Sequence, residues 1–105
     1  MEEWVWVCDA KSLGNGEMIE FDHEGRQLLI AKAAGQVYAT DRICTHAYAD
    51  LSTGFMNEEA CTVTCPLHLS SFKLSDGVPQ NPPAEVPLGI YKVKIQDEGI
   101  YIKIG

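Results

Sequence analysis

ICTHAYADLSTGFMNEEACTVTCPLHLSSF, residues 43–72, sets a C-x-H near its start (Cys44, His46) and a C-x-x-H near its end (Cys65, His68). Each pair follows a short run of β character: QVYAT, Gln36 to Thr40, before the first and ACTVT, Ala60 to Thr64, before the second. Alternation in the second run puts Cys61 and Val63 on one strand face. Both boxes therefore fall on turns just past strand ends, and two such turns can clasp something between them. A Cys and a His from each of two loops, with Pro66 in one of them, is a metal-binding pattern.

The pairing narrows the metal. A structural zinc site accepts the same four donors, but its usual sequence form pairs Cys with Cys and His with His. Mixed loops suit a dinuclear centre, because each loop can then give its Cys to one iron and its His to the other.

Outside the boxes the chain reads as all-β. Trp4 to Cys8 (WVWVC), Glu17 to Phe21 (EMIEF) and Arg26 to Ala33 (RQLLIAKA) are short runs bounded by turn residues such as Asn15-Gly16 and Glu24-Gly25. QVYAT follows as the return arm of a hairpin. Gly89 to Ile95 and Gly99 to Ile104 alternate apolar and polar side chains across the tight QDEG turn. No segment shows a helical period, and no repeat or low-complexity tract is present. An antiparallel sandwich or barrel is the expected architecture.

With 105 residues, one domain spanning 1–105 is expected. A composition 46% hydrophobic and 22% charged excludes a disordered chain. The N-terminal MEEWVWVCDAK carries acidic residues where a signal peptide carries basic ones, and its apolar run is too short to span a membrane, so a cytoplasmic location is expected. There Cys8, Cys44, Cys61 and Cys65 are read as thiols or metal ligands rather than disulfides. A formal net charge of -7 argues against nucleic-acid binding and suits a basic partner surface.

The boxes, with LSTG (51–54) between them and Phe72 four residues beyond the second His, resemble those of a Rieske-type 2Fe-2S ferredoxin, the ferredoxin component of multicomponent aromatic-ring dioxygenase systems. VPQNPPAEVPLGIYKVKIQDEGIYI (78–102) is similar to the proline loop and closing hairpin of that family, so the likeness runs from about Gln36 onward. The chain departs from the family pattern in three places: the eighteen residues from Ala47 to Thr64 slightly exceed the common spacing, Leu69 stands where a Gly often follows the second His, and SDG (75–77) replaces the usual TG.

The resemblance implies a Rieske-like antiparallel β-sandwich or barrel with a cluster-binding part of two loops at about 42–84. It implies that Cys44 and Cys65 hold the inner iron of one 2Fe-2S cluster while His46 and His68 hold the outer one. Two ferric ions, two sulfides and two thiolates sum to zero charge, so an added electron meets a neutral cluster. That agrees with the raised potentials of such centres, roughly -150 to +300 mV. An oxygenase would need a further iron on two more His and a carboxylate, and only His23 remains. Nor is there a Gly-rich strand-to-helix segment for a nicotinamide or flavin. The expected role is therefore an electron carrier, not an enzyme, and the resemblance implies a monomer taking electrons from a flavin reductase to a terminal oxygenase. A Rieske subunit of another redox enzyme, such as a nitrite reductase accessory or a monooxygenase component, and a structural zinc module remain as alternatives.

Other conspicuous residues take plainer readings. Cys61 is expected as a small buried hydrophobe, Cys8 as strand packing on the face of Trp4 and Trp6, and His23 as a solvated turn residue. Pro82-Pro83 is expected to cover the cluster. By the same resemblance, Ala49 and Leu67 stand where respiratory relatives carry a bracing disulfide, Phe72 stands where they carry a Tyr, and Ser70 keeps the position of a Ser that bonds a bridging sulfide. Keeping only the Ser70 bond, with Phe72 in place of the Tyr, implies a potential in the lower part of the Rieske range, somewhat above that of a relative with Gly at position 70.

Overall fold

The computed structural model describes residues 3–45, 48–67, 69–82 and 84–104. Its strands are β1 (Glu3–Asp9), β2 (Met18–His23), β3 (Arg26–Ala33), β4 (Gln36–Asp41), β5 (Phe55–Asn57), β6 (Thr62–Thr64), β7 (Ser71–Lys73), β8 (Ile90–Tyr91), β9 (Val93–Gln96) and β10 (Gly99–Ile104). They form three antiparallel sheets in the orders β1-β10-β9, β2-β3-β4-β8 and β5-β6-β7. Two short 3-10 turns, Ala10–Ser12 and Leu51–Thr53, complete the described regular structure. The all-β antiparallel architecture expected from the sequence is the one observed.

β3 organises the interior. Its centre, LLIA, lacks polar alternation because both faces are buried. Leu28 and Ile30 enter one core with Val7, Leu13, Ala39, Ile100 and Ile102, filled mainly by the β1-β10-β9 sheet. Leu29, Ala31 and Ala33 enter a second core with Cys44, Leu51, Val63, Cys65, Phe72 and Leu74. Each fully buried Leu or Ile here contributes about 1.5–3 kcal/mol of transfer free energy. One strand thus joins the β1-β10-β9 sheet to the core that holds Cys44 and Cys65.

Three hairpins hold this register. Glu24-Gly25, Ala34-Gly35 and Asp97-Glu98 are two-residue connections with both residues at positive φ, the primed geometry that matches strand twist. The closing hairpin pairs Gln96 with Gly99 through to Val93 with Ile102.

The run Gly89 to Ile95, read as one strand, is two. β8 pairs with β4 and β9 with β10, so the chain changes sheets at Lys92, whose carbonyl accepts from the Lys103 N–H at 2.9 Å. The run Ala60 to Thr64 is also shorter than read. Cys61 lies in the turn before β6 at φ 58, so it does not share a strand face with Val63. β5 and β7 carried too little alternation to be read, at three residues each.

Candidate metal centre

The two cysteine loops have the same backbone. In the first, the Cys44 N–H donates to the Ala49 carbonyl at 2.8 Å and the Tyr48 N–H donates to the Cys44 carbonyl at 3.0 Å. In the second, the Cys65 N–H donates to the Ser70 carbonyl at 2.8 Å and the Leu69 N–H donates to the Cys65 carbonyl at 3.1 Å. Both loops close on a strand pair seven residues apart, Ile43 with Asp50 and Thr64 with Ser71. The residue four beyond each cysteine is left-handed, Tyr48 at φ 56 and Leu69 at φ 59. A common 21-residue offset superimposes one pattern on the other, and Cys44 and Cys65 are its equivalent points.

These two cysteines are buried in one core cluster, 1% and 0% exposed. Both are free thiols. Two congruent loops that bury their thiols in one core cluster fit a pair of metal-bound thiolates, since a site that excludes water favours neutralisation by bound metal over two isolated thiolate charges. His46 and His68 lie outside the described residues, as do Ala47 and Pro83. No group of three or more metal-ligating side chains occurs among the described residues.

Residues 80–82 and 84–91, called the strap, are tied by hydrogen bonds to both loops. Asn81 staples it to the second loop, its Oδ1 accepting the Ser71 N–H at 2.8 Å and its Nδ2 donating to the Leu69 carbonyl at 3.2 Å. The buried Ser70 Oγ accepts the Ala84 N–H at 3.2 Å, which leaves the hydroxyl proton to donate. Thr45 Oγ1 donates to the Val86 carbonyl at 2.7 Å and ties the strap to the first loop. At its far end Asp41 accepts from the Gly89 N–H at 3.0 Å and from the Tyr91 hydroxyl at 2.7 Å. Burial and that hydrogen bond push the Tyr91 phenol up to about 12. Asn81, Thr45 and Asp41 went unnoticed in the sequence because each acts on backbone groups distant along the chain.

Arg42, 4% exposed, braces the first loop from behind. Its guanidinium lies 2.9 Å from Asp22 Oδ1 and 3.8 Å from Glu20 Oε2. Its Nε lies 3.3 Å from Asp50 Oδ2, an ion pair without hydrogen-bond alignment. Asp50 also accepts from the Ser52 N–H, so one carboxylate joins the loop end to the 3-10 turn that follows. A buried cation with several carboxylates meets the requirement that interior charge be paired.

The remaining candidates take structural places. Cys61 is partly buried against the second core beside Tyr38, whose phenol it holds above its usual range by a side-chain hydrogen bond. Cys8 packs on the first core, past a bulge between Trp6 and Cys8, and burial and Asp9 push its thiol up. Trp6, by contrast, is 53% exposed, so the Trp4–Trp6 face is not a core face. His23 is not solvated as expected: its side chain is 24% exposed and stacks on Phe21, with ring centroids 6.2 Å apart.

Comparison with known proteins agrees with this geometry. The family described as Rieske [2Fe-2S] domain matches residues 3–92. Ferredoxin CarAc of Metapseudomonas resinovorans is 31% identical over 94% of this chain and 92% of its own length. The ferredoxin component of the naphthalene 1,2-dioxygenase system of Pseudomonas aeruginosa is 30% identical over 98% and 97%. Among solved structures, one described as a complex of reduced oxygenase and oxidized ferredoxin in carbazole 1,9a-dioxygenase contains a chain matching at TM-score 0.89 and 31% identity, over 94% of this chain and 91% of that one.

Proposed function

Because the chain belongs to the Rieske 2Fe-2S domain family, we propose that it is the ferredoxin of an oxygenase system, with Cys44, Cys65, His46 and His68 holding its cluster. Its cofactor is a Rieske-type 2Fe-2S cluster, and its part in such a system is electron transfer rather than oxygenation. The observation that carries the ligand assignment is the pair of congruent loops with Cys44 and Cys65 buried in one core. When bound, a cluster of this kind would supply one-electron redox chemistry near neutral charge. The chain's own residues would position it: the two loops carry the buried thiols, Ser70 and Thr45 tie the strap to them, and Arg42 with Asp50 anchors the first loop.

The finer reading is of one domain, cluster part about 42–84, acting in the cytoplasm as a monomer. It receives electrons from a flavin reductase and passes them to a terminal oxygenase, on an aromatic-ring-hydroxylating system as in the named relatives. Among the described residues no helix is long and apolar enough to cross a membrane.

The test has two stages. Protein purified without oxygen should show the visible absorption and the reduced-state EPR signal of a Cys2His2 two-iron cluster. Reconstitution with reductase and oxygenase candidates from neighbouring genes should then give product only with this protein present. A colourless, zinc-loaded protein would sink the two-iron cluster while leaving the four donors as a zinc site. A cluster-bearing one that reduces no oxygenase would sink the partner.

A further inference from the structure

Tyr48 and Leu69 occupy the same point of the two congruent loops, four residues beyond each buried cysteine, and both are left-handed. For a bulky side chain that conformation is an outlier: only glycine adopts it freely, and Asn or Asp are the usual exceptions. Strain at a residue is ordinarily offset by packing. Here the loop backbone hydrogen bonds hold the conformation while the side chains stay out of the core, Tyr48 80% exposed and Leu69 59% exposed. The fold holds two large side chains in water, in left-handed backbone, at equivalent positions of the two cysteine loops. Outliers of this kind are held by the surrounding structure, here the loop hydrogen bonds, and they cluster at functional sites.

The surroundings extend the patch. Leu67 on the second loop is 62% exposed and Val86 on the strap 60%. Tyr48 and Val86 flank an open groove of about 430 Å³ that reaches Ile43, Cys44 and Thr45. Four side chains fall well short of the ~1,200 Å² of total surface that a stable interface buries, which argues against a second copy of this chain as the permanent cover. A contact made and broken at each electron delivery needs no more than this.

We propose that Tyr48 and Leu69 are a pair of docking knobs, one from each cysteine loop, that enter apolar recesses on the terminal oxygenase. The proposal rests on the functional reading above. The oxygenase is preferred to the reductase because it is the partner in the solved complex of a relative 31% identical to this chain. Apolar knobs add short-range attraction that survives salt, while the acidic surface acts at longer range.

Glycine at either position removes both the strain and the knob, so the two roles separate. The holoproteins Tyr48→Gly and Leu69→Gly should keep the wild-type spectrum and midpoint potential. Their unfolding midpoints should be no lower than wild type, since relief of the left-handed strain offsets the added freedom of the unfolded chain. Reduced chemically, so that no reductase is needed, each should require about tenfold more oxygenase for half-saturating electron delivery in stopped flow. Tyr48→Phe and Leu69→Met should restore wild-type behaviour. The oxygenase used is the one that wild-type holoprotein reduces in the reconstitution, so failure of the functional reading shows in the wild type and failure of the knobs only in the variants. Glycine variants that deliver electrons like wild type overturn the inference. So does a lowered unfolding midpoint with cluster loss, which assigns a structural role, and so does slowing confined to reduction by the reductase.

Discussion

Four cysteines divide by environment. Cys44 and Cys65 open congruent loops and are buried together, whereas Cys8 and Cys61 sit at strand and turn positions with partly exposed side chains. Replacing Cys44, Cys65, His46 or His68 by Ala should therefore abolish stable cluster assembly, while Cys8→Ser and Cys61→Ser should retain it. Iron content and visible absorption of the purified variants check this, and a colourless but folded Cys61→Ser protein would overturn the ligand set. Tyr91 supplies a pH dependence at the same scale. Its phenol is raised from an ordinary value of about 10 to about 12, so the fold favours the neutral form that donates to Asp41. That contribution is whole below pH 10 and is lost as pH rises through about 12. Subtracting the tyrosinate absorbance titration of Tyr91→Phe from that of wild type should leave one late-titrating tyrosine. A difference centred near 10 would mean that the bond to Asp41 is not kept in solution.

Among the elements, the second cysteine loop depends on its neighbours. A Cβ at Gly54 would lie against the Thr64 carbonyl, one residue before Cys65, so the LSTG segment ends in glycine to let the first loop's exit cross the second loop's entry. Gly54→Ala must push that backbone apart and should cost about 1–3 kcal/mol with accelerated cluster loss. Thermal unfolding and the bleaching rate of the holoprotein measure both. Ser70 links the same loop to the strap through the Ala84 N–H, and its remaining proton would be available to a bound cluster, where a hydrogen bond favours the reduced form. Ser70→Gly should lower the midpoint potential. Film voltammetry showing the same potential in both proteins would confine Ser70 to holding the strap.

For the molecule as a whole, charge sets the approach to partners. The net charge of -7 should draw the protein to a basic surface over a distance that salt shortens. Second-order reduction by the cognate reductase should therefore slow as ionic strength rises from about 0.01 to 0.5 M, across which the screening length falls from roughly 30 Å toward 3 Å. Rates that climb with salt would show that like charges meet at the contact.

The chain's local pattern determined what local physics controls. Alternation and paired turn residues specified the hairpins β2-β3-β4 and β9-β10, because each strand meets its partner across a two-residue turn. The C-x-H and C-x-x-H spacing specified a metal pattern, because ligand chemistry is written in residue type and short separation. Contacts between distant segments were decided by the tertiary structure alone. The chain's change of sheet at Lys92, the burial of both faces of β3, the pairing of Arg42 with three carboxylates and the stapling of the strap by Asn81 all join positions whose adjacency no local period encodes. The likeness of the two cysteine loops was hidden for a related reason. It resides in backbone hydrogen bonds and in φ at Tyr48 and Leu69, while the side chains that clothe the two loops differ.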